Sequence, residues 1–252
     1  MSDAFQDVID KCSRALRMDF SSAEFAQLAA DNAYSVEAVA VVNEVFEYIC
    51  TKKEQATIQM LMRTSRLPLK NAKTFENFDF SVLKGKDIER LRSLPSLAPI
   101  YAHRNLAFIG PAGTGKTHLA MAFGYECCQH GMKTYFIKAS ELRDKFTNAR
   151  RLGKEASTLT ALVRPSCLII DEVGHCEFDK ENTRLFFDMV DRRYNKENFK
   201  EADALLCSLD RIFDDALVFN IRGESFRGKR LENIALQAGT PYVPMPTGTV
   251  TS

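Results

Sequence analysis

The chain has 252 residues, 45% of them hydrophobic and 27% charged, which is an ordinary balance for a globular protein and fits either one large domain or a small module joined to an α/β domain. Its net charge of +1 conceals an asymmetry: residues 1–50 hold nine acidic against three basic side chains, residues 51–104 five against eleven. The first segment is thereby a poor candidate for touching phosphates and the second a fair one.

No apolar run approaches the roughly 18 residues that a membrane span needs. The start MSDAFQDVIDKC has no basic stretch followed by an apolar one, so a cytoplasmic protein without membrane contact is expected. Seven cysteines, at 12, 50, 127, 128, 167, 176 and 207, form no C-x-x-C pair. Neither Cys127, Cys128 and His130 nor His175 and Cys176 have the spacing of a structural zinc site, and buried free thiols are the expectation.

In chain order, Phe5, Val8, Ile9, Cys12 and Leu16 recur at helical spacing, and Phe25, Leu28 and Ala29 do so after the start signal Ser21-Ser22. Ser35 reads as the N-cap of a longer helix carrying Val36, Val39, Val42, Phe46 and Ile49 and running toward Arg63. A helix-turn-helix invites a DNA-reading interpretation. The candidate recognition helix SVEAVAVVNEVFEYI, however, has three Glu and no Lys or Arg for guanines and phosphates, which favours a bundle that binds another protein or subunit. TSRLPLKNAKT, at 64–74, reads as a basic linker.

From Asn105 strands and helices alternate. The apolar run NLAFIG leads into GPAGTGKT, and a helix with Leu119, Ala120, Ala122 and Phe123 on one side follows. The spacing Gly110-x-x-x-x-Gly115-Lys116-Thr117 inside strand, loop and helix is a phosphate loop, so Gly110, Pro111, Ala112, Gly113, Thr114, Gly115, Lys116, Thr117 and His118 form the candidate ATP-binding stretch. Glycines let successive N–H groups curl around an anion, and the helix N-terminus adds partial positive charge. Lys116 would reach the β- and γ-phosphates, and the Thr117 hydroxyl would ligate Mg²⁺. Such a loop requires an acidic pair ending another buried strand, which CLIIDE supplies: Asp171 would help hold the metal and Glu172 would polarise the attacking water. Between them KTYFIK is expected to be a strand. SELRDKFTNARRLGK is expected to be a helix whose five basic residues either face solvent or meet a nucleic-acid backbone.

FENFDF at 75–80, FIGPAGTGKTHLA, LIIDEVG, ENTRLFFDMVDRRYNK, LDRIF and IRGESFR together resemble the IstB-like ATP-binding proteins of insertion sequences, relatives of the DnaC helicase loaders in the AAA+ class. The resemblance runs from about residue 40 to 232. It implies a parallel sheet flanked by helices behind a small all-α module, and an ATP-driven homo-oligomer that clamps duplex DNA and hands it to a transposase. A DnaC-like loader gripping a replicative helicase, and a nucleotide-binding adaptor without hydrolysis, stay open beside it. Arg211 in LDRIF matches the arginine that a neighbouring subunit projects toward the γ-phosphate, a role suited to a guanidinium. Phe78 and Phe80 would flank the adenine, and Arg227 would sense phosphate. The organisation expected is a helical partner-binding module over 1–63, a linker and lead-in over 64–104, an AAA+ core over 105–232 and a disordered tail over 233–252.

One element of that pattern is missing. In the AAA+ sheet a strand tipped by a polar sensor residue follows the helix that here ends near Tyr194, and it lies between the phosphate-loop strand and the acidic one. YNKENFKEADALLC, at 194–207, contains no such strand. Either a segment carrying the strand is lacking, or the sheet re-pairs without it, or the fold is completed in an assembly.

Overall fold

A computed structural model describes residues 3–197 and 216–223 of the chain. Two compact units divide it, residues 1–63 and residues 64–252. Arg211, Arg227, residues 198–207 of the polar stretch and the tail from 233 lie outside the described residues.

The first unit is built from three helices, α1 (Asp3–Leu16), α2 (Ser22–Asp31) and α3 (Val36–Thr64). Ser21 starts α2 through a capping box: its hydroxyl accepts from the Glu24 N–H while the Glu24 carboxylate accepts from the Ser21 N–H. Ser35 starts α3, with its hydroxyl 3.2 Å from the Ala38 N–H. Asp10 ties α1 to α2 by accepting from both the N–H and the hydroxyl of Ser22, at 2.8 and 2.9 Å. Those two bonds hold its carboxyl below the usual carboxylate range. Ile9, Cys12, Phe25, Ala29 and Cys50 form the small core, against which Phe20 stacks on Phe46. Burial pushes the Cys12 thiol up to about 11. Of the six described cysteines, five are buried, and all are free thiols, in line with the composition.

The second unit begins with residues that the sequence reads as linker, yet Ser65 and Leu67 are buried and the Ser65 carbonyl accepts from the Phe136 N–H at 2.7 Å. The segment is thereby laid along the outer edge of a strand. The short strand β1 (Leu83–Lys84) and the short helices α4 (Ile88–Arg92) and α5 (Ala98–Tyr101) lead into the phosphate-loop strand β2 (Leu106–Ile109). Helix α6 (Lys116–Gln129), strand β3 (Thr134–Lys138), helices α7 (Ala139–Arg151) and α8 (Glu155–Val163), strand β4 (Cys167–Asp171) and helix α9 (Lys180–Glu197) follow. Strands β5 (Leu217–Asn220) and β6 (Arg222–Gly223) complete the described residues.

The parallel strands stand in two pairs. Strand β2 runs parallel to β5, with Leu106 opposite Leu217 and Ile109 opposite Asn220, and β3 runs parallel to β4, with Thr134 opposite Cys167 and Lys138 opposite Asp171. β1 pairs antiparallel with β6. Among the described residues no ladder joins β2 to β4. The expected sensor strand would lie between these two, and residues 3–197 contain no strand to fill that place; residues 198–215 are outside the description.

Helix α6 packs against β2, β3 and β4 and so belongs to both pairs. It approaches the second pair closely because Gly124 has no side chain: a Cβ there would lie 2.6 Å from Cδ1 of Ile169 and 3.2 Å from the Thr134 methyl. On the other side of β3 and β4 a core cluster gathers Ile137, Leu142, Phe146, Leu159, Leu162, Leu185 and Met189 from β3, α7, α8 and α9. Arg193 closes this layer. Its guanidinium donates to the carbonyls of Leu162, Val163, Pro165 and Ser166 at 2.8–3.3 Å, satisfying acceptors that the end of α8 leaves open just before β4.

Removing this guanidinium takes a charged donor from four carbonyls at once. Arg193→Ala is therefore expected to lower unfolding stability by about 2–3 kcal/mol, the scale of hydrogen bonds to a charged group left unmade. Urea titration followed by far-UV circular dichroism measures it, and an unchanged midpoint would show that water replaces the clamp.

Candidate nucleotide site

The loop between β2 and α6 needs its glycines. Gly110, Gly113 and Gly115 have φ of 153°, 81° and 94°, backbone that residues with a Cβ rarely adopt. Gly110 is further constrained because a Cβ would overlap the Ile221 carbonyl oxygen, where the chain leaves β5. Pro111, Ala112 and Thr114 complete the turn, and Thr114, almost fully buried, donates its hydroxyl to the Pro111 carbonyl at 2.9 Å. Helix α6 starts at Lys116, so its first N–H groups face the loop.

Lys116 is folded onto the loop itself. Its ammonium donates to the Gly110 and Pro111 carbonyls at 2.8 and 2.6 Å. Thr117 points the other way and donates to Asp171, 3.1 and 3.0 Å from the two carboxylate oxygens. Two positions 54 residues apart in sequence are thus in contact, as the spacing of the two motifs requires. A hydroxyl and a carboxylate placed side by side are hard oxygen donors of the kind Mg²⁺ takes, and the loop beside them is shaped to wrap an anion. The residues fit a magnesium nucleotide. Among the described residues no cluster of three His, Cys, Asp or Glu is arranged for another metal.

Glu172 follows Asp171 at φ 59° and ψ 33°, a left-handed conformation that costs a non-glycine residue about 1 kcal/mol or more. Its carboxylate is 3.0 Å from the Lys138 ammonium. Lys138 ends β3 directly opposite Asp171. The hydrogen bond and charge of Glu172, with a smaller effect from Asp171, hold the Lys138 ammonium above the ordinary lysine range. Sequence reasoning did not single out Lys138; its place at the tip of the strand neighbouring CLIIDE was the available signal.

His118, one residue past Thr117, is half buried and bonds through Nε2 to the Thr74 carbonyl at 2.9 Å. A carbonyl only accepts, so Nε2 carries the proton and Nδ1 is the bare nitrogen. Burial lowers the ring's pKa and outweighs the Thr74 carbonyl, which favours the charged form. The Phe78 ring meets His118 edge-on with centroids 5.0 Å apart, and Phe80 meets Phe78 at 4.9 Å. Phe78 is buried, which makes it a wall of the lead-in, while the Phe80 ring is covered by the Arg92 guanidinium at 5.1 Å. The two phenylalanines expected to flank an adenine are together beside His118. Arg211 and Arg227 lie outside the described residues.

The five basic residues expected on one helix are only partly available to a ligand. Arg143 pairs with Asp144, and Arg150 reaches Asp179 and Asn182 at the start of α9, whereas Lys145 stands 6.0 Å above the Tyr135 ring.

Two substitutions test this geometry. Gly110→Ala sets a side chain against Ile221 and strains φ, so nucleotide affinity measured with a fluorescent ATP analogue should fall at least about tenfold, with stability lowered by more than about 1 kcal/mol. Lys138→Ala breaks an exposed ion pair, which stabilises little. It should leave the melting temperature unchanged while altering basal ATP turnover; identical turnover would mean that Glu172 is not restrained by Lys138.

Comparison with known proteins agrees with this geometry. The family described as IstB-like ATP binding protein matches residues 14–233. An ATP-binding protein of insertion sequence IS5376 from Geobacillus stearothermophilus is 36% identical over 198 residues, covering 72% of this chain and 78% of the relative. That of insertion sequence IS21 from Pseudomonas aeruginosa is 30% identical over 206 residues, covering 75% and 77%. Among solved structures, domain III of the replication initiation protein DnaA from Thermotoga maritima superposes with a TM-score of 0.50 at 20% identity, over 70% of this chain and 78% of that one, a likeness of fold. With the phosphate loop and acidic strand brought together on an AAA+ fold, the chain belongs to the IstB-like ATP-binding proteins of insertion sequences.

Proposed function

We propose that this protein is an AAA+ ATPase that assists DNA transposition, assembling as a homo-oligomer on duplex DNA and recruiting or stimulating a transposase. The observation that carries the ATPase part is the contact of Thr117 with Asp171, which sets phosphate loop and acidic strand at one site. Transposition is supported by the insertion-sequence relatives, and a transposase is the partner that such a setting supplies.

In this reading the loop's N–H groups bind the phosphate chain, and Lys116 exchanges the Gly110 and Pro111 carbonyls for phosphate oxygens. Thr117 and Asp171 would hold the magnesium ion. When bound, that ion would supply charge neutralisation on the phosphate oxygens. Glu172, once released from Lys138, accepts a proton from the water that attacks the γ-phosphate. Arg211 from a neighbouring subunit would meet the charge that develops on the transferred group, which is why turnover requires assembly. The acidic first unit is suited to a protein partner and the more basic residues 51–104 to a phosphate backbone.

A second reading is favoured by two observations. With no ladder joining β2 to β4 among the described residues, and Glu172 held by Lys138, the site is suited to binding nucleotide without turning it over. ATP hydrolysis by the purified protein, with and without duplex DNA, beside Lys116→Ala and Arg211→Ala, decides between them. The expected outcome is turnover that rises with DNA and falls about 100-fold or more in both variants. Nucleotide bound without turnover would favour the adaptor.

A further inference from the structure

We propose that the outward face of α3 carrying Val41, Val45 and Tyr48 is a docking surface for a basic amphipathic helix of a partner protein. The inference deepens the reading of the first unit as a recruiting module.

At 100° per residue, Val42, Phe46 and Cys50 share one side of α3 and turn toward the small core of the unit. Val41, Val45 and Tyr48 lie about 130° round the helix from that side, at intervals of four and three, and are 59%, 49% and 64% exposed. Ile49, at the edge of the row, is also exposed. Single exposed apolar residues need no explanation, but a row at i, i+4 and i+7 is the pattern by which one helix grips another.

Helix propensity does not account for the row. Valine is a poorer helix former than Ala, Leu, Glu or Lys because its χ1 is confined, so a solvated face gains nothing from Val41 and Val45. That same stiffness lowers the entropy lost when the side chain is immobilised at an interface. Tyr48 adds a large ring with few rotamers, the kind of anchor on which interface energy concentrates.

Charge selects the occupant. Glu37, Glu44 and Glu47 are exposed along the same part of α3, and residues 1–50 carry an excess of six acidic side chains. Duplex DNA is repelled, and a second copy would bring the same negative excess against this one. A helix with an apolar stripe and flanking Lys or Arg satisfies both the valine row and the glutamates. Lys52, 5.4 Å from the Tyr48 ring, marks the end of the acidic stretch, so the partner's basic residues should lie toward Glu37.

The test uses the full chain and a fluorescein-labelled synthetic helix of about 20 residues with leucines at helical spacing and lysines elsewhere, read by anisotropy. Binding at micromolar concentration is expected, with little binding by the same residues scrambled so that no face forms. Replacing Val41, Val45 and Tyr48 together by Ala, which favours the helix, should weaken binding at least about tenfold while circular dichroism and DNA-dependent ATP turnover stay as they were. Equal binding of the scrambled peptide, or an unaffected triple variant, overturns the proposal. So does wild-type self-association in sedimentation that the triple variant abolishes, since a second copy would then cover the face. Loss of turnover in the unaltered protein bears on the ATPase reading alone, because the peptide assay contains no nucleotide.

Discussion

Everything at the nucleotide site depends on the contact between the Thr117 hydroxyl and the Asp171 carboxylate. The phosphate loop grows from β2, paired with β5, while the acidic residues end β4, paired with β3, and among the described residues no backbone ladder spans the two pairs. Side chains therefore do work that a continuous sheet would otherwise share. Helix α6 begins at Lys116 and Thr117 on one pair and lays Gly124 against Ile169 on the other, so a single rigid helix sets the distance at which the hydroxyl and the carboxylate meet.

The lack of a ladder between β2 and β4 among the described residues has a physical scale. Two strands with the room of a third between them stand about 9–10 Å apart instead of roughly 4.8 Å. Each buried backbone group left without a partner there costs on the order of 1–3 kcal/mol, against a total stability of roughly 5–15 kcal/mol for a domain. A chain of this sequence must satisfy those groups with other chain, a neighbouring subunit or water. The core around Phe146 and the Arg193 clamp stabilise the β3–β4 side, and on the other side Phe108 of β2 stacks on Phe219 of β5.

Much of this was legible in the sequence because it rests on local chemistry. Glycine spacing announces the phosphate loop, an apolar run ending in Asp-Glu announces the acidic strand, and Ser21 and Ser35 announce helix starts through hydroxyls that satisfy nearby N–H groups. The lack of any apolar run between Tyr194 and Leu205, where an AAA+ sheet is expected to continue, was legible as well, but which of its three outcomes follows was not, and residues 198–215 lie outside the described ones. What sequence could not give were meetings between distant positions. The burial of Ser65 and Leu67 in a stretch that reads as linker depends on the exposed edge of β3, and the grip of Lys138 on Glu172 depends on the register that sets Lys138 against Asp171. Arg150, which composition assigns to a basic face, is drawn instead into the cap of α9 by Asp179 and Asn182.

The folded-back Lys116 makes the loop its own competitor. A ligand entering must supply the ammonium with acceptors at least as good as the Gly110 and Pro111 carbonyls, and its observed affinity is reduced by whatever share of molecules keeps the lysine tucked in. A lone phosphate, touching only part of the loop, would offer little to offset that loss, whereas on the proposed reading a triphosphate chain would engage the N–H cradle, the lysine and the Thr117–Asp171 pair together. On the proposed nucleotide site, self-occupancy would act as a threshold that filters ligands by length, against small anions and in favour of the extended polyanion.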